Sequence, residues 1–226
     1  MSFSKWIVAT GLILSLVSVS SKAGVIEYSG YSHDDTTNIV SGNGLEWLQW
    51  TETLGQSIDS ALTSYAPSGW RLATNEEMTE LLNSFDLGGS FIGDENISQT
   101  INRGLTAGED DSHNYFTSFF GDTYTAAGGT HPFPDIYESS QAIFGDDSDG
   151  DSFYNSFFMH DDFDHHDLGP VGARSILFED DVSIHDTNVQ GGIALVRTIP
   201  VPEPGTIPLL LLGLLGLHSA RKTIKS

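Results

Sequence analysis

The 226-residue chain has no cysteine, which excludes a disulfide scaffold, thiol catalysis and thiolate metal sites. Bases are almost as scarce, with nine Lys and Arg against 31 Asp and Glu and a formal charge of −22. Phosphate binding needs clustered Lys and Arg, so the composition argues for no nucleic-acid partner. Lysine occurs only as Lys5, Lys22, Lys222 and Lys225, and the bases between 24 and 201 are Arg71, Arg103, Arg174 and Arg197. A body without lysine has no Schiff-base chemistry, no phosphate-loop lysine and no Ser-Lys dyad. Sequence motifs of the GxSxG, HExxH and GxGxxG types are missing as well. What is present, 38% hydrophobic and 11% aromatic residues, is enough for a folded core.

The two ends read as addresses. Lys5, the apolar run Trp6 to Val19, and Ser21-Lys22-Ala23 have the order of a secretory signal read by signal peptidase and the general secretion machinery, with cleavage expected before Gly24. A retained anchor helix is the alternative. At the other end Val201-Pro202-Glu203-Pro204 precedes Gly205-Thr206-Ile207-Pro208, the run Leu209 to Leu217, and the bases Arg221, Lys222 and Lys225. The two prolines forbid a regular helix and predict an extended, protease-accessible linker. A helix from Gly205 to Ala220 would rise about 24 Å, short of the ~30 Å hydrocarbon core. Such a marginal span suits a transient transmembrane anchor in the inner membrane, its basic end cytoplasmic and its body outside.

This tail, residues 201–226, resembles the PEP-CTERM sorting signal of Gram-negative bacteria in its Pro202-Glu203-Pro204, its leucine-rich segment and its basic end with Arg221 and Lys222. It is also similar to a motif labelled ice-binding protein C-terminal, a label that describes the tail and not the body. The resemblance implies recognition by an exosortase-type transpeptidase, cleavage near Pro204, release to or attachment at the cell surface, and association with exopolysaccharide. An ordinary one-span anchor would keep the same topology.

Setting both ends aside removes Glu203 from the acids and Lys5, Lys22, Arg221, Lys222 and Lys225 from the bases, leaving 30 acids and four bases and a formal charge of about −26. Such a polyanion repels acidic polymers and attracts divalent cations, through which calcium could bridge it to polysaccharide; solubility alone would also account for the charge. Along this body, Gly24 to Tyr28 and Leu45 to Trp50 alternate as strands, and residues 29–44 read as loop. A helix is expected over Ser57–Tyr65, stopped by Pro67-Ser68-Gly69. A second begins at the Thr74-x-x-Glu77 capping box, carries the stripe Met78, Leu81, Leu82 and Phe85, and ends by Gly88-Gly89. Gly191 to Thr198 is apolar enough for a central strand.

Gly44-Leu45-Glu46-Trp47-Leu48 and Gly69-Trp70-Arg71-Leu72-Ala73-Thr74, with Tyr115-Phe116-Thr117-Ser118 and Gly192 to Arg197 more loosely, resemble the DUF1566 or Lcl C-terminal type of domain, related to the formylglycine-generating branch of C-type-lectin-like folds. Ala73 stands where that pattern has proline, and the generating enzymes' cysteines are missing, so their oxidative activity does not carry over. The resemblance implies an α+β, C-type-lectin-like domain over residues 24–200: small antiparallel sheets, first and last strands paired, two helices, and long loops that carry any binding. Trp47, Trp70, Arg71, Thr74 and Glu77 then have structural roles, with Arg71 anchored near the helix start by a carboxylate or carbonyl.

Residues 104–173 hold 14 acids, five histidines and no Lys or Arg, together with many aromatics such as Phe116, Phe120 and Phe157. Aromatics among carboxylates predict ordered loops folded onto the sheet. Asp147-Ser148-Asp149-Gly150-Asp151 spaces carboxylates two apart, as oxygen coordination of calcium requires, though without the glycine and distal glutamate of an EF-hand. His160, Asp164 and His165, within His160 to Asp167, mix imidazole and carboxylate as zinc, copper or nickel would need. Each cluster could equally be a hydrated acidic loop. No carboxylate pair or Ser-His-Asp set can be nominated from so many candidates. The sequence therefore points to an exported, non-catalytic surface or matrix protein with cation-assisted glycan contact. A structural or adhesive matrix component without a specific ligand, and a secreted glycan hydrolase, are the alternatives.

Overall fold

Tight turns organise the first part of the body in the computed structural model, which describes residues 24–103, 111–124, 126–127, 136–160, 173–188 and 190–199. Strands β1 (Val25–Tyr28) and β2 (Tyr31–Asp34) are joined by Ser29-Gly30, and β3 (Ile39–Gly42) and β4 (Leu45–Leu48) by Asn43-Gly44. All four turn residues have positive φ, between 50° and 83°, the type I′ geometry whose twist matches that of antiparallel strands. Residues 29–44, expected as loop, thus form two strands and their turns. Ser32, Asp34 and Ser41 occupy one face with Ile39, while Tyr31, His33 and Val40 are buried on the other.

A 3-10 turn (Trp50–Thr53) leads to α1 (Ile58–Tyr65), capped by the Ser57 side chain, which accepts from Ser60 N. After a second 3-10 turn, Gly69 adopts the left-handed conformation and β5 (Arg71–Leu72) begins. Helix α2 (Asn75–Ser84) has the reciprocal Thr74–Glu77 capping box, and Met78, Leu81, Leu82 and Phe85 are fully buried. The chain continues through β6 (Gln99–Asn102), α3 (Asp111–Phe120), β7 (Ala126–Ala127), β8 (Ile136–Tyr137), β9 (Ser139–Phe144), β10 (Phe153–His160), β11 (Arg174–Ser183), β12 (Gly192–Ile193) and β13 (Leu195–Thr198).

The architecture is α+β, with a six-stranded sheet ordered β1-β2-β3-β4-β13-β5, a five-stranded sheet ordered β12-β9-β10-β11-β6, and a β7–β8 pair. Three expectations are corrected. There are three α-helices among the described residues, not two. Much of the acidic middle is helix and sheet, because β9–β11 pair with one another and β9 buries its polar residues in hydrogen bonds. Ser140 Oγ donates to Gly121 O (2.7 Å) and Gln141 N to Thr123 Oγ1 (3.0 Å). Finally, the N-terminal strand does not meet the last one. β1 is an edge strand, and β13 pairs with β4 and β5.

The closing segment serves both sheets. Gly192 and Ile193 run parallel to β9, and beyond Ala194 the chain crosses to the first sheet as β13. Ala73 N donates to Ala194 O, Ala194 N to Ile143 O and Gly145 N to Ala73 O, each at 2.9 Å, so one backbone knot joins the α2 entry to both sheets. A Cβ on Gly192 would lie 1.9 Å from Trp50 O, which only glycine avoids. Between the sheets, α3 drives Phe116 and Phe120 (centroids 4.7 Å apart) against Trp50, Phe85 and Phe157 at 5.0–5.9 Å. This i, i+4 aromatic pair buries one helix face at the centre of the core. No helix among the described residues is long and apolar enough to cross a membrane; the leucine-rich tail helix expected past residue 201 lies outside them, as does the leader.

Candidate functional site

The β9–β10 connection carries Asp147, Asp149 and Asp151. This eight-residue loop is folded tightly on itself: Gly145 and Gly150 both take positive φ and the aspartates hydrogen-bond the loop's own backbone. Asp147 Oδ1 accepts from Ser152 N (3.0 Å), Asp149 Oδ1 from Asp151 N (3.2 Å) and Asp151 Oδ1 from Phe153 N (2.9 Å). One ligand atom from each of the three lies within 4.8 Å of the other two, and all three residues are exposed. Oxygens on opposite sides of a calcium ion at about 2.3–2.6 Å are separated by roughly 5 Å, so one ion can touch all three. Water or a hydroxyl-rich ligand would complete the shell of six to eight oxygens.

The loop rests on a buried polar scaffold. Glu95, only 6% exposed, accepts from Ser148 N (3.1 Å) and from Ser148 Oγ. Its carbonyl accepts from Asn155 Nδ2 (2.8 Å) and Asp180 N (3.0 Å). Asn155 in turn donates to Phe178 O and accepts from Asn75 Nδ2 (2.9 Å), while Asp146 Oδ2 accepts from Asn75 N (3.4 Å). The α2 N-terminus, β10 and β11 therefore fix the loop's base. Asp180 borders it: desolvation, with Asp151, Asp149 and Glu95 adding like charge, raises its carboxyl above the usual range. Desolvation and Asp147 likewise raise the Tyr154 hydroxyl. A divalent cation is the species that would relieve this crowding.

Residues 200–222 match the family model of the PEP-CTERM protein-sorting motif. The chain is thus an exosortase-sorted surface or extracellular protein, exported through a membrane-anchored precursor in a Gram-negative bacterium. Pro202, Glu203, Pro204, Arg221 and Lys222 fall inside the match and outside the described residues. The match leaves the body uncovered, and no family match supports a DUF1566 or Lcl-like domain there. No curated protein and no solved structure matches the chain.

The remaining sequence candidates divide. Asp164 and His165 lie outside the described residues. His160 ends β10, 8% exposed, with Nδ1 3.1 Å from Ser139 Oγ. Burial, with Arg174 adding positive charge, lowers its pKa to about 4. Trp47 and Trp70 are buried. Arg71 holds Glu77 through two nitrogens, Nη1 to Oε2 at 2.7 Å and Nη2 to Oε1 at 2.5 Å, and donates to Leu72 O. Glu77 itself accepts from Thr74 N, so arginine, cap and helix dipole are one assembly. The spacing that exposed the three aspartates could not reveal Glu95 or Asp180. Glu95 reaches Ser148 across 53 positions, with no motif around it.

Proposed function

We propose that this chain is a non-catalytic component of the cell surface or its exopolysaccharide matrix, whose body takes calcium at Asp147, Asp149 and Asp151 and meets glycan through that ion. The observation that carries the binding part is the convergence of three carboxylates, spaced for one ion, on a loop anchored by a buried glutamate. A body of about −26 would repel an acidic polysaccharide directly, and a shared cation reverses the sign of that contact. For the body we propose a C-type-lectin-like domain over residues 24–200, supported by the Gly69–Thr74 turn into a capped helix and by β13 closing against β4 and β5.

Calcium titration by calorimetry, with thermal melts in parallel, tests the ion. Saturable binding is expected, with about 2.7 kcal/mol of added apparent stability at 100 times Kd. For a domain of this size that is a rise of roughly 5–10 °C in Tm. Asp149→Ala should abolish both effects. No heat and no shift would overturn the calcium reading, and reducing-sugar release from the producer's polysaccharide would overturn the non-catalytic one.

A further inference from the structure

Among the described residues, β1 is the outermost strand of the six-stranded sheet and no strand lies on its outer side. β1 pairs with β2 on one side only, in unbroken register from Val25↔Asp34 to Tyr28↔Tyr31. Natural edges are blunted by lysine, proline, a bulge or a covering segment, and β1, with the sequence VIEY, has no such lysine, proline or bulge. At the far edge of the same sheet, β5 is two residues long and begins with Arg71. In the second sheet, the β6 edge is flanked by residues 86–92, through Gln99 to Ile92 and Arg103 to Asp86.

The type I′ turn at Ser29-Gly30 fixes which groups of β1 face outward. It makes Tyr28 and Tyr31 a hydrogen-bonded pair, and alternation makes Ile26 and His33 the next. Val25 and Glu27 therefore turn their N–H and C=O away from β2. Val25 is 53% exposed and Ile26 38%. Ile26 is in register with His33, Val40, Trp47 and Val196, the buried face of this sheet, so the apolar row runs out to the edge and stops at water.

We infer that β1 pairs with β1 of a second copy of this chain, antiparallel about a two-fold axis at Ile26. In that register Val25 exchanges two hydrogen bonds with the second copy's Glu27, and Glu27 with its Val25, satisfying all four outward pairs of groups. Ile26 meets its own copy in a non-hydrogen-bonded pair, extending the buried row. The one charge of the strand, Glu27, faces a valine and not another carboxylate, so the edge is complementary to itself. A second copy fits better than an unrelated strand for that reason. Long-range repulsion between two polyanions makes the contact weak in dilute solution, and it forms where membrane-anchored precursors concentrate the chain.

The absence of cysteine makes the test direct. A non-hydrogen-bonded pair puts the two Cα atoms about 4.5 Å apart, within the range a disulfide spans. The full chain carrying Ile26→Cys, exported by its host and treated with a mild oxidant, is expected to run mostly as a disulfide-linked dimer. Thr37→Cys, in the exposed β2–β3 turn, should stay largely monomeric. Adding Glu27→Pro to Ile26→Cys removes an outward N–H and leaves the β1–β2 ladder intact, and should cut the dimer at least five-fold. Val25→Pro does the same at the strand's first residue, and serves if Glu27→Pro lowers Tm. A monomeric Ile26→Cys, an equal dimer yield from Thr37→Cys, or a cross-link that survives both prolines would overturn the pairing.

Discussion

His33 and His160 are two buried residues through which acid can reach the core. Both are buried, and burial lowers the pKa of each, His160 to about 4. For His33, Asp35 and Asp34 pull the other way and do not prevail. Gln49 Nε2 lies 3.1 Å from His33 Nε2 and also donates to Phe119 O (3.0 Å). The amide thus donates to the ring, the proton sits on Nδ1, and that atom has no partner among the described residues. A second proton would break the Gln49 bridge from β4 to α3. Because the folded pKa lies below the unfolded value, the stabilisation is complete above about pH 6.5 and is lost as pH falls toward the folded value. Chemical denaturation should give a lower midpoint at pH 5 than at pH 7.5. His160→Gln, which keeps a polar neighbour for Ser139, should reduce that difference, and an unchanged pH slope would exclude His160 as a contributor. Carboxylate protonation, which relieves self-repulsion in so acidic a body, belongs mostly below this window.

At the scale of elements, the junction at Ala73 ties sequence to fold most closely. Its N–H donates to Ala194 O at 2.9 Å, a bond that proline, the residue expected in the DUF1566-like pattern, could not make. Leu72 is extended, as the residue before a proline must be, and Ala73→Pro removes that donor at a cost of about 1–3 kcal/mol. The expected result is a fall in Tm of roughly 3–10 °C with unchanged calcium binding; an unchanged Tm would show that this bond adds no stability. Elements made by local rules were legible. The Thr74 capping box, the α2 stripe and the Ser57–Tyr65 helix, whose first residue is the cap, could all be read from neighbours three or four positions apart. The hairpin turns were written in the sequence as Ser29-Gly30 and Asn43-Gly44, and the outer strands β1 and β4 could be read from their alternation. But β2 and β3 are four residues each and sit among Ser, Asp, Thr, Asn and Gly that read as loop. β9 was hidden for another reason. Ser139, Ser140 and Gln141 are buried because distant residues such as Asp122, Thr123 and Asn188 satisfy them, and no local pattern encodes that. The candidate ion site shows the same division: its three aspartates are local, its anchor is not.

For the whole molecule, the decisive relation is between the folded body and the tail. The last backbone bond of the body runs from Ile199 N to Gly44 O (3.1 Å), and the sorting match begins at residue 200. Just before it, Arg197 is clamped by Glu46 (Nε to Oε2, 2.5 Å) and lies over Trp70, 4.4 Å from the ring centroid. The body is therefore tied down as far as Ile199, three positions before Pro202 in the sequence. Among the described residues, the contacts that close β13 come from positions up to Ile199, so the tail's chemistry and the body's stability can be tested apart. Pro202→Ala with Glu203→Ala is expected to leave the body folded, with the same Tm and calcium response, while the unprocessed precursor accumulates in the membrane fraction. Immunoblotting of membrane and extracellular fractions, with and without the exosortase, reads the outcome. Release of the double variant at the normal rate would mean that the tetrapeptide is not what the enzyme reads. A lowered Tm would mean that the body's closure extends past residue 199, so that folding and sorting are coupled.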